Sequence, residues 1–597
     1  MKKLFTLLLL AACMHSFAQK LDTLTVDKIM RAPQWIGLSP SQLTWTDDSK
    51  KLYFNWNYEH APLDSIFSIT TGNTTPQKIG LDEQRALPVN YDAHWNRSHT
   101  LKVYAKNGDI FLEEIKSGKT VQLTNTVEAE NSPTFNGSET EVLFNKGDNL
   151  FAIKLNGGGL VQLTNFVKSA SKEDNDNNDA DATDQAKWLK KQQLELFDII
   201  KVQSQDKKET TAERKALRPA KLKELITGDK VVDNVEQSPD GRYITYRLTK
   251  LPDNAPNTIV PNYVTASGFT EDIQNRTKVG APQPQSWSYV YDTQRDSVYP
   301  IITANVPGIK DIPAYVKDYP DELAALTKAN ADRVVVVDGP LWSDDGKTAL
   351  VTVDAQDNKD RWIMKLDAAT GGLTLLDRQH NDAWIGSGAP GIEDDWYSLG
   401  NIGWIDNSTY YYQSEASGYS HIYVADVNSG SKTQITNGNW EVQTLKLSND
   451  KKTFYFTANM DEPGATAYYR VPVTGGNPVK ITSMKGWNDV TMSPDEKWLA
   501  LHYSYTNKPW ELYLQANKPG AKAIQVTHST TPEFNSYAWR DAPIVTFKDR
   551  YGKDVYARLY LPKKRQPGKT GGNICAWRGL FAKCNLFVEL LFPRVYV

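Results

Sequence analysis

A chain of 597 residues is too long for one ordinary hydrophobic core, so its 40% apolar and 23% charged residues point to several domains or one large repeat architecture. A formal charge of −3 with no basic block excludes a nucleic-acid partner. Seventeen Trp and 29 Tyr beside 37 Gly favour β-structure with many tight turns.

The first 18 residues read as a signal peptide. Lys2 and Lys3 form the charged start, Leu4 to Ala12 a short apolar run, and "SFAQ" offers a cleavage site after Ala18. "LAAC" (Leu10 to Cys13) also reads as a lipobox, which would place a lipid anchor on Cys13. Either way the expected location is exported, periplasmic or extracellular. No apolar run is long enough to predict a membrane span. The other two cysteines, Cys575 and Cys584, lie near the C-terminal end, so core burial rather than disulfides must hold the chain together.

From Leu21 onward the sequence repeats itself. A polar turn followed by an alternating strand occurs eight times, beginning at Trp45, Trp95, Phe135, Ser238, Trp342, Trp404, Leu447 and Met492. Examples are "WTDDSKKLYFNW", "SPDGRYITYRL" and "MSPDEKWLALHY". A second strand, a Gly-containing turn and a short segment follow many copies: "VQLTN" at Val121 and Val161, "TQITN" at Thr433, "VKITS" at Val479, "IQVTH" at Ile524. Clean spacings run roughly 40–46 residues, as from Trp95 to Phe135 and from Leu447 to Met492. Asp, Asn, Ser and Gly suit such turns through positive φ and side-chain bonds to the backbone. One small sheet cannot bury both faces alone, whereas radial repetition buries sheet on sheet and shortens the exposed edges. The fold class predicted is all-β: a β-propeller of about eight blades over 21–541.

Two gaps interrupt the rhythm. Residues 168–230 open with the acidic run "KEDNDNNDADATD" and continue with a helical pattern whose apolar stripe holds Trp188, Leu189, Leu194, Leu196, Phe197, Ile199 and Ile200. The acidic run lacks the Gly and terminal Glu of a calcium loop and reads as a solvated segment. A Pro-rich stretch, 250–338, carries "DIPAYVKDYPDELAALTKAN" and predicts an extra helix on a long insertion.

Eight "SPDG"-type turns, "SEASGYSHIYVAD" (Ser414 to Asp426) and the closing "VTFKDRYGKDVYARLYLPKK" (Val545 to Lys564) together resemble the prolyl oligopeptidase (S9) family of serine peptidases, in its dipeptidyl-peptidase IV branch. The resemblance covers roughly Leu21 to Pro567. It implies a propeller that admits peptide substrates to an α/β-hydrolase domain, reached through a transition hairpin over 542–568. A nucleophile elbow G-x-S-x-G, then Asp and His, belong to that domain. No G-x-S-x-G occurs, all eight His lie at or before His528, and the composition changes near Gly571. The residues 571–597 therefore read as an aberrant tail, the product of a frameshift or mis-called end, with no catalytic residue in this chain. The rival reading is a non-enzymatic periplasmic propeller that binds protein or peptide partners.

Candidate substrate-binding residues are Glu393, Asp394 and Asp395 in "GIEDDWYSLG", with Glu415 and Tyr419 in "SEASGYSHIY". The resemblance implies that paired carboxylates on the propeller bind a peptide's free amine. Here Trp396 follows the acids instead of preceding a Glu pair, which departs from the family pattern. A solvated loop is the competing reading. Gly418 suits a positive-φ turn, while His421 and Tyr423 read as structural. No His, Cys, Asp and Glu set shows metal-ligand spacing and no phosphate loop joins a strand to a helix, so no metal or cofactor is expected.

Overall fold

Each of the eight repeated turns is the first hairpin of a four-stranded antiparallel sheet. The computed structural model describes residues 24–31, 35–59, 61–170, 184–195, scattered positions between 202 and 217, 222–385, 401–539, 541–560 and 573–576. Among them, eight four-stranded sheets follow one another in chain order, at 41–78, 93–122, 130–162, 231–300, 335–380, 402–434, 442–480 and 487–525. These are blades 1 to 8 of an eight-blade β-propeller arrangement with few helices.

The turn chemistry follows the sequence. Ser238 donates its hydroxyl to Asp240 at 2.5 Å, Ser448 to Asp450 at 2.6 Å and Ser493 to Asp495 at 2.7 Å. The same serine hydroxyls accept from the backbone N–H groups of Tyr243, Thr453 and Trp498. Each turn thus closes on its own side chains, and Gly241, Lys451 and Glu496 supply the left-handed residue.

The recurring Thr of the short segments has one job. Thr124, Thr164, Thr436, Thr482 and Thr527 are buried, and their hydroxyls accept from the N–H groups of Ile110, Leu150, Ile422, Tyr468 and Leu512 at 2.8–3.1 Å. In each case the donor lies in or beside the third strand of the same blade. A buried N–H at that point would otherwise lack a partner.

The chain divides into two units. One holds blades 1, 6, 7 and 8. There Trp45, Phe54 and Phe67 of blade 1 pack with Ala500, Leu512 and Leu514 of blade 8. Ile422 and Ile435 pack with Phe454 and Phe456, and Tyr455 and Tyr468 pack with Leu499 and Leu501. First and last blades are also joined by polar bonds: Trp56 Nε1 donates to Ser529 Oγ at 3.0 Å, and Ser529 donates through both Oγ and its N–H to the buried Glu511. Trp35 stacks on Trp539 with ring centroids 6.4 Å apart, tying the N-terminal approach to the segment after blade 8.

The other unit holds blades 2 to 5. Val103 and Ile110 pack with Val142 and Phe144. Leu143 and Leu150 pack with Ile244 and Tyr246, and Val290 and Ile301 with Val351, Trp362 and Met364. Within the 168–230 stretch, a helix spans Asp184–Glu195, and Trp188 and Leu189 are exposed on it rather than covered. The acidic run lies outside the described residues. The stretch 250–338 holds more than an insertion. It contains the outer blade 4 strands Gln285–Asp292 and Ser297–Pro300, a separate hairpin of Asn257–Asn262 with Glu271–Thr277, the helix Pro320–Ala329, and the start of blade 5.

After blade 8, Ile544–Lys548 pairs antiparallel with Asp554–Tyr560. The backbone of Asn573–Ala576 pairs with the second of these strands. The signal segment and most of the tail lie outside the described residues. Among the described residues no helix is long and apolar enough to cross a membrane.

Candidate functional site

Blade 6 carries the segment singled out above. Strand Thr409–Ser414 turns through Glu415 to Ser420 into strand His421–Asp426. Gly418 takes φ +93° and its N–H donates to the Glu415 carbonyl at 2.8 Å. An added Cβ would meet nothing within 4 Å, so backbone conformation rather than crowding calls for glycine.

His421 is buried and structural. Its Nε2 lies 3.0 Å from the Gly438 carbonyl and its Nδ1 3.0 Å from the Thr436 hydroxyl. The first contact needs a proton on Nε2, so the ring sits as the neutral tautomer with Nδ1 as acceptor. Burial lowers its pKa, and its ring meets Trp440 edge-on at 4.8 Å. Tyr423 stacks on Tyr412 across two neighbouring strands at 5.5 Å.

Glu415 stands exposed on the turn, and Tyr419 is half-buried in it. The structure brings to them a residue the sequence did not mark, Glu441. Its carboxylate accepts from the Ser420 N–H at 2.6 Å, and its own N–H donates to Asn459 Oδ1 at 2.6 Å. Although the residue is exposed, desolvation of its carboxyl by the surrounding protein first, and then repulsion by Glu441, pushes Glu415 above its ordinary range. Burial raises Glu441 as well, against the Ser420 hydrogen bond that lowers it. A carboxyl whose ionisation a neighbouring carboxylate opposes marks a place where a cation is welcome. Nothing around "NGNWEV" signals Glu441, because its partner is fixed only when blade 6 folds. Glu393, Asp394 and Asp395 lie outside the described residues. Among the described residues no group of three or more His, Cys, Asp and Glu side chains is placed to hold a metal ion.

Four-stranded sheets repeated eight times around such turns define a β-propeller, with a two-carboxylate feature formed by Glu415 of blade 6 and Glu441 at the entry to blade 7. Residues 234–510 match the family described as "Dipeptidyl peptidase IV (DPP IV) N-terminal region". The chain is 23% identical over 341 residues to dipeptidyl peptidase 4 of Trichophyton equinum, covering 56% of this chain and 40% of that protein. It is 22% identical over 340 residues to dipeptidyl peptidase 4 of Trichophyton rubrum, with the same coverage. The crystal structure of Porphyromonas gingivalis dipeptidyl peptidase 4 shares the fold, with a TM-score of 0.53 and 13% identity over 92% of this chain and 68% of that one. Over residues 234–510 the propeller thus matches the dipeptidyl peptidase IV N-terminal type, of the S9 family. The matched region spans 40% of the length of these curated relatives.

Proposed function

We propose that this propeller is the substrate-admitting region of an exported serine peptidase of the dipeptidyl or oligopeptidase type. The hydrolytic chemistry belongs to an α/β-hydrolase module, to which the hairpin Ile544–Lys548 and Asp554–Tyr560 leads. The propeller's part is to select short or unfolded peptides sterically and to orient them. The observation that carries the reading is the family match over 234–510 together with the Glu415–Glu441 pair, which joins the second-to-third strand turn of blade 6 to the segment entering blade 7. Glu415 and Glu441 receive the ammonium group of a peptide through charge-assisted hydrogen bonds, and Tyr419 lines the approach. Glu393, Asp394 and Asp395 are assigned to the same amine-binding role. The signal segment at 1–18 delivers the protein beyond the inner membrane.

Calorimetric titration of the chain with a short peptide, free or acetylated at its N-terminus, tests this. The free peptide binds, acetylation weakens binding at least about fivefold, and Glu415→Gln with Glu441→Gln does the same. Equal binding of both peptides would contradict the amine role. Binding that survives the double substitution would move it away from blade 6.

A further inference from the structure

The unit of blades 2 to 5 holds a cleft of about 560 Å³ between the segment around 311–317 and the outer strands of blade 5, Asp360–Asp367 and Gly372–His380. Its floor is the Asp360 carboxylate, 1% exposed. That group accepts from Arg333 Nη1 at 2.5 Å and Arg378 Nε at 2.8 Å, and lies 2.9 Å from His380 Nδ1. Burial alone would raise the Asp360 carboxyl. The bonds from Arg378, Arg333 and His380 outweigh that and hold it below the usual carboxylate range. Both guanidinium groups lie over Trp362, at 5.7 and 5.6 Å from its centroid. Gly308 takes φ +82°, and a Cβ there would sit 2.3 Å from Arg378 Nη1, so only glycine lets the guanidinium lie this close to the backbone.

The acids of this cleft are already engaged. Asp311 accepts from Arg378 Nη2 at 2.7 Å, and Asp382 lies 3.2 Å from His380 Nε2. Two lysines are not balanced in this way. Lys359 gives its ammonium to the Ala383 carbonyl rather than to a carboxylate. Lys317, exposed on the cleft wall, has no ion-pair partner among the described residues. Ile312, Pro313 and Ala314 add a small apolar wall.

We propose that this cleft binds a small molecule bearing a carboxylate or phosphate, with Lys317 and Lys359 as its charge partners and the apolar wall against its carbon body. A cation is disfavoured, because every carboxylate it would meet is held by Arg333, Arg378 or His380. The buried Asp360 network fixes the strand that carries Arg378 and the strand that Lys359 directly precedes, which lowers the ordering cost of presenting this charge. The assignment is independent of the peptide-amine reading, since it concerns the opposite charge on other blades.

Calorimetric titration of the full chain with inorganic phosphate, citrate, and one short peptide with a free or amidated C-terminus tests it. At least one anion binds at about 10 mM or below, and binding weakens as ionic strength rises. Lys317→Glu with Lys359→Gln lowers the affinity about tenfold or more, while Lys522→Glu on blade 8 leaves it unchanged. Citrate or phosphate binding without a peptide effect assigns a free small anion. A difference between free and amidated peptide assigns a peptide carboxylate. Lys317→Ala alone, at an exposed and unpaired position, keeps the fold and still weakens binding. Silence with all four probes, or equal affinity in the wild type and the Lys317 and Lys359 variants, overturns the proposal.

Discussion

Arg97 in the first turn of blade 2 donates Nη2 to the Asp344 carbonyl in the first turn of blade 5, at 3.0 Å. The same nitrogen donates to the Gly137 carbonyl of blade 3 at 3.0 Å, and the Arg97 N–H donates to Glu139 Oε1 at 2.7 Å. Pro239 of blade 4 presses on this group, since a Cβ on Gly137 would lie 2.0 Å from its carbonyl oxygen. Four first turns from one unit therefore converge around a single side chain. Arg97→Ala removes exposed bonds and costs about 1 kcal/mol. Gly137→Ala forces backbone apart and costs more, about 2 kcal/mol or above. Denaturant titration ranks the two, and hydrogen exchange of the turns at 137–139 and 343–346 rises in both.

The repeated Thr makes a sharper prediction because one explanation covers five sites. Thr164→Val and Thr482→Val keep shape but leave the Leu150 and Tyr468 N–H groups buried without an acceptor. Each costs about 1–3 kcal/mol, whereas Thr→Ser at the same positions costs well under that. Urea midpoints of the four variants check the pattern. Equal loss for Val and Ser would show that packing, not the hydrogen bond, sets the cost.

Stability also depends on pH through Glu236, on the first strand of blade 4. Solvent reaches this residue, yet the surrounding protein raises its carboxyl to about 7 by burial. Its folded-state value lies above its unfolded one, so the native state binds more protons between them. The contribution of Glu236 to stability is fully present below about pH 4.3 and falls as pH rises toward 7. Glu236→Gln removes that decline and leaves the variant more stable than the wild type at pH 8. Thermal unfolding from pH 4.5 to 8 measures it, and a parallel pH dependence in the two proteins would refute it.

The first turns of all eight blades, and the outer strands of blades 2, 3, 6, 7 and 8, were legible because Asp, Ser and Gly in fixed positions are local signals. The innermost strands were not. Their period-2 pattern is broken by register shifts such as Ser41/Thr44, Asp233/Glu236 and Asp338/Leu341. Within these shifts Gln42, Asn234 and Gly339 take positive φ, which turns later side chains to the other face. The boundaries of 250–338 blurred for a related reason. Two blade 4 strands lie beyond the Asn257–Thr277 hairpin, so the repeat spacing was lost while the blade was kept. At the candidate site, Glu415 and Tyr419 could be found from one contiguous motif. Glu441 could not, because 26 residues of chain from Glu415 to Glu441 are brought together only by the pairing of blade 6 and the Val442 N–H bond to Ser420. The same holds for Asp360, whose partners Arg333 and the Arg378–His380 strand end come from two places in the chain, both distant from it in sequence.

The most direct test is a crystal structure of the chain grown with a short peptide carrying a free N-terminus. The account predicts eight four-stranded blades with the peptide's ammonium group within hydrogen-bond distance of Glu415 and Glu441. A different number of blades, or a peptide whose amine is held elsewhere while these two carboxylates face only solvent, would contradict it.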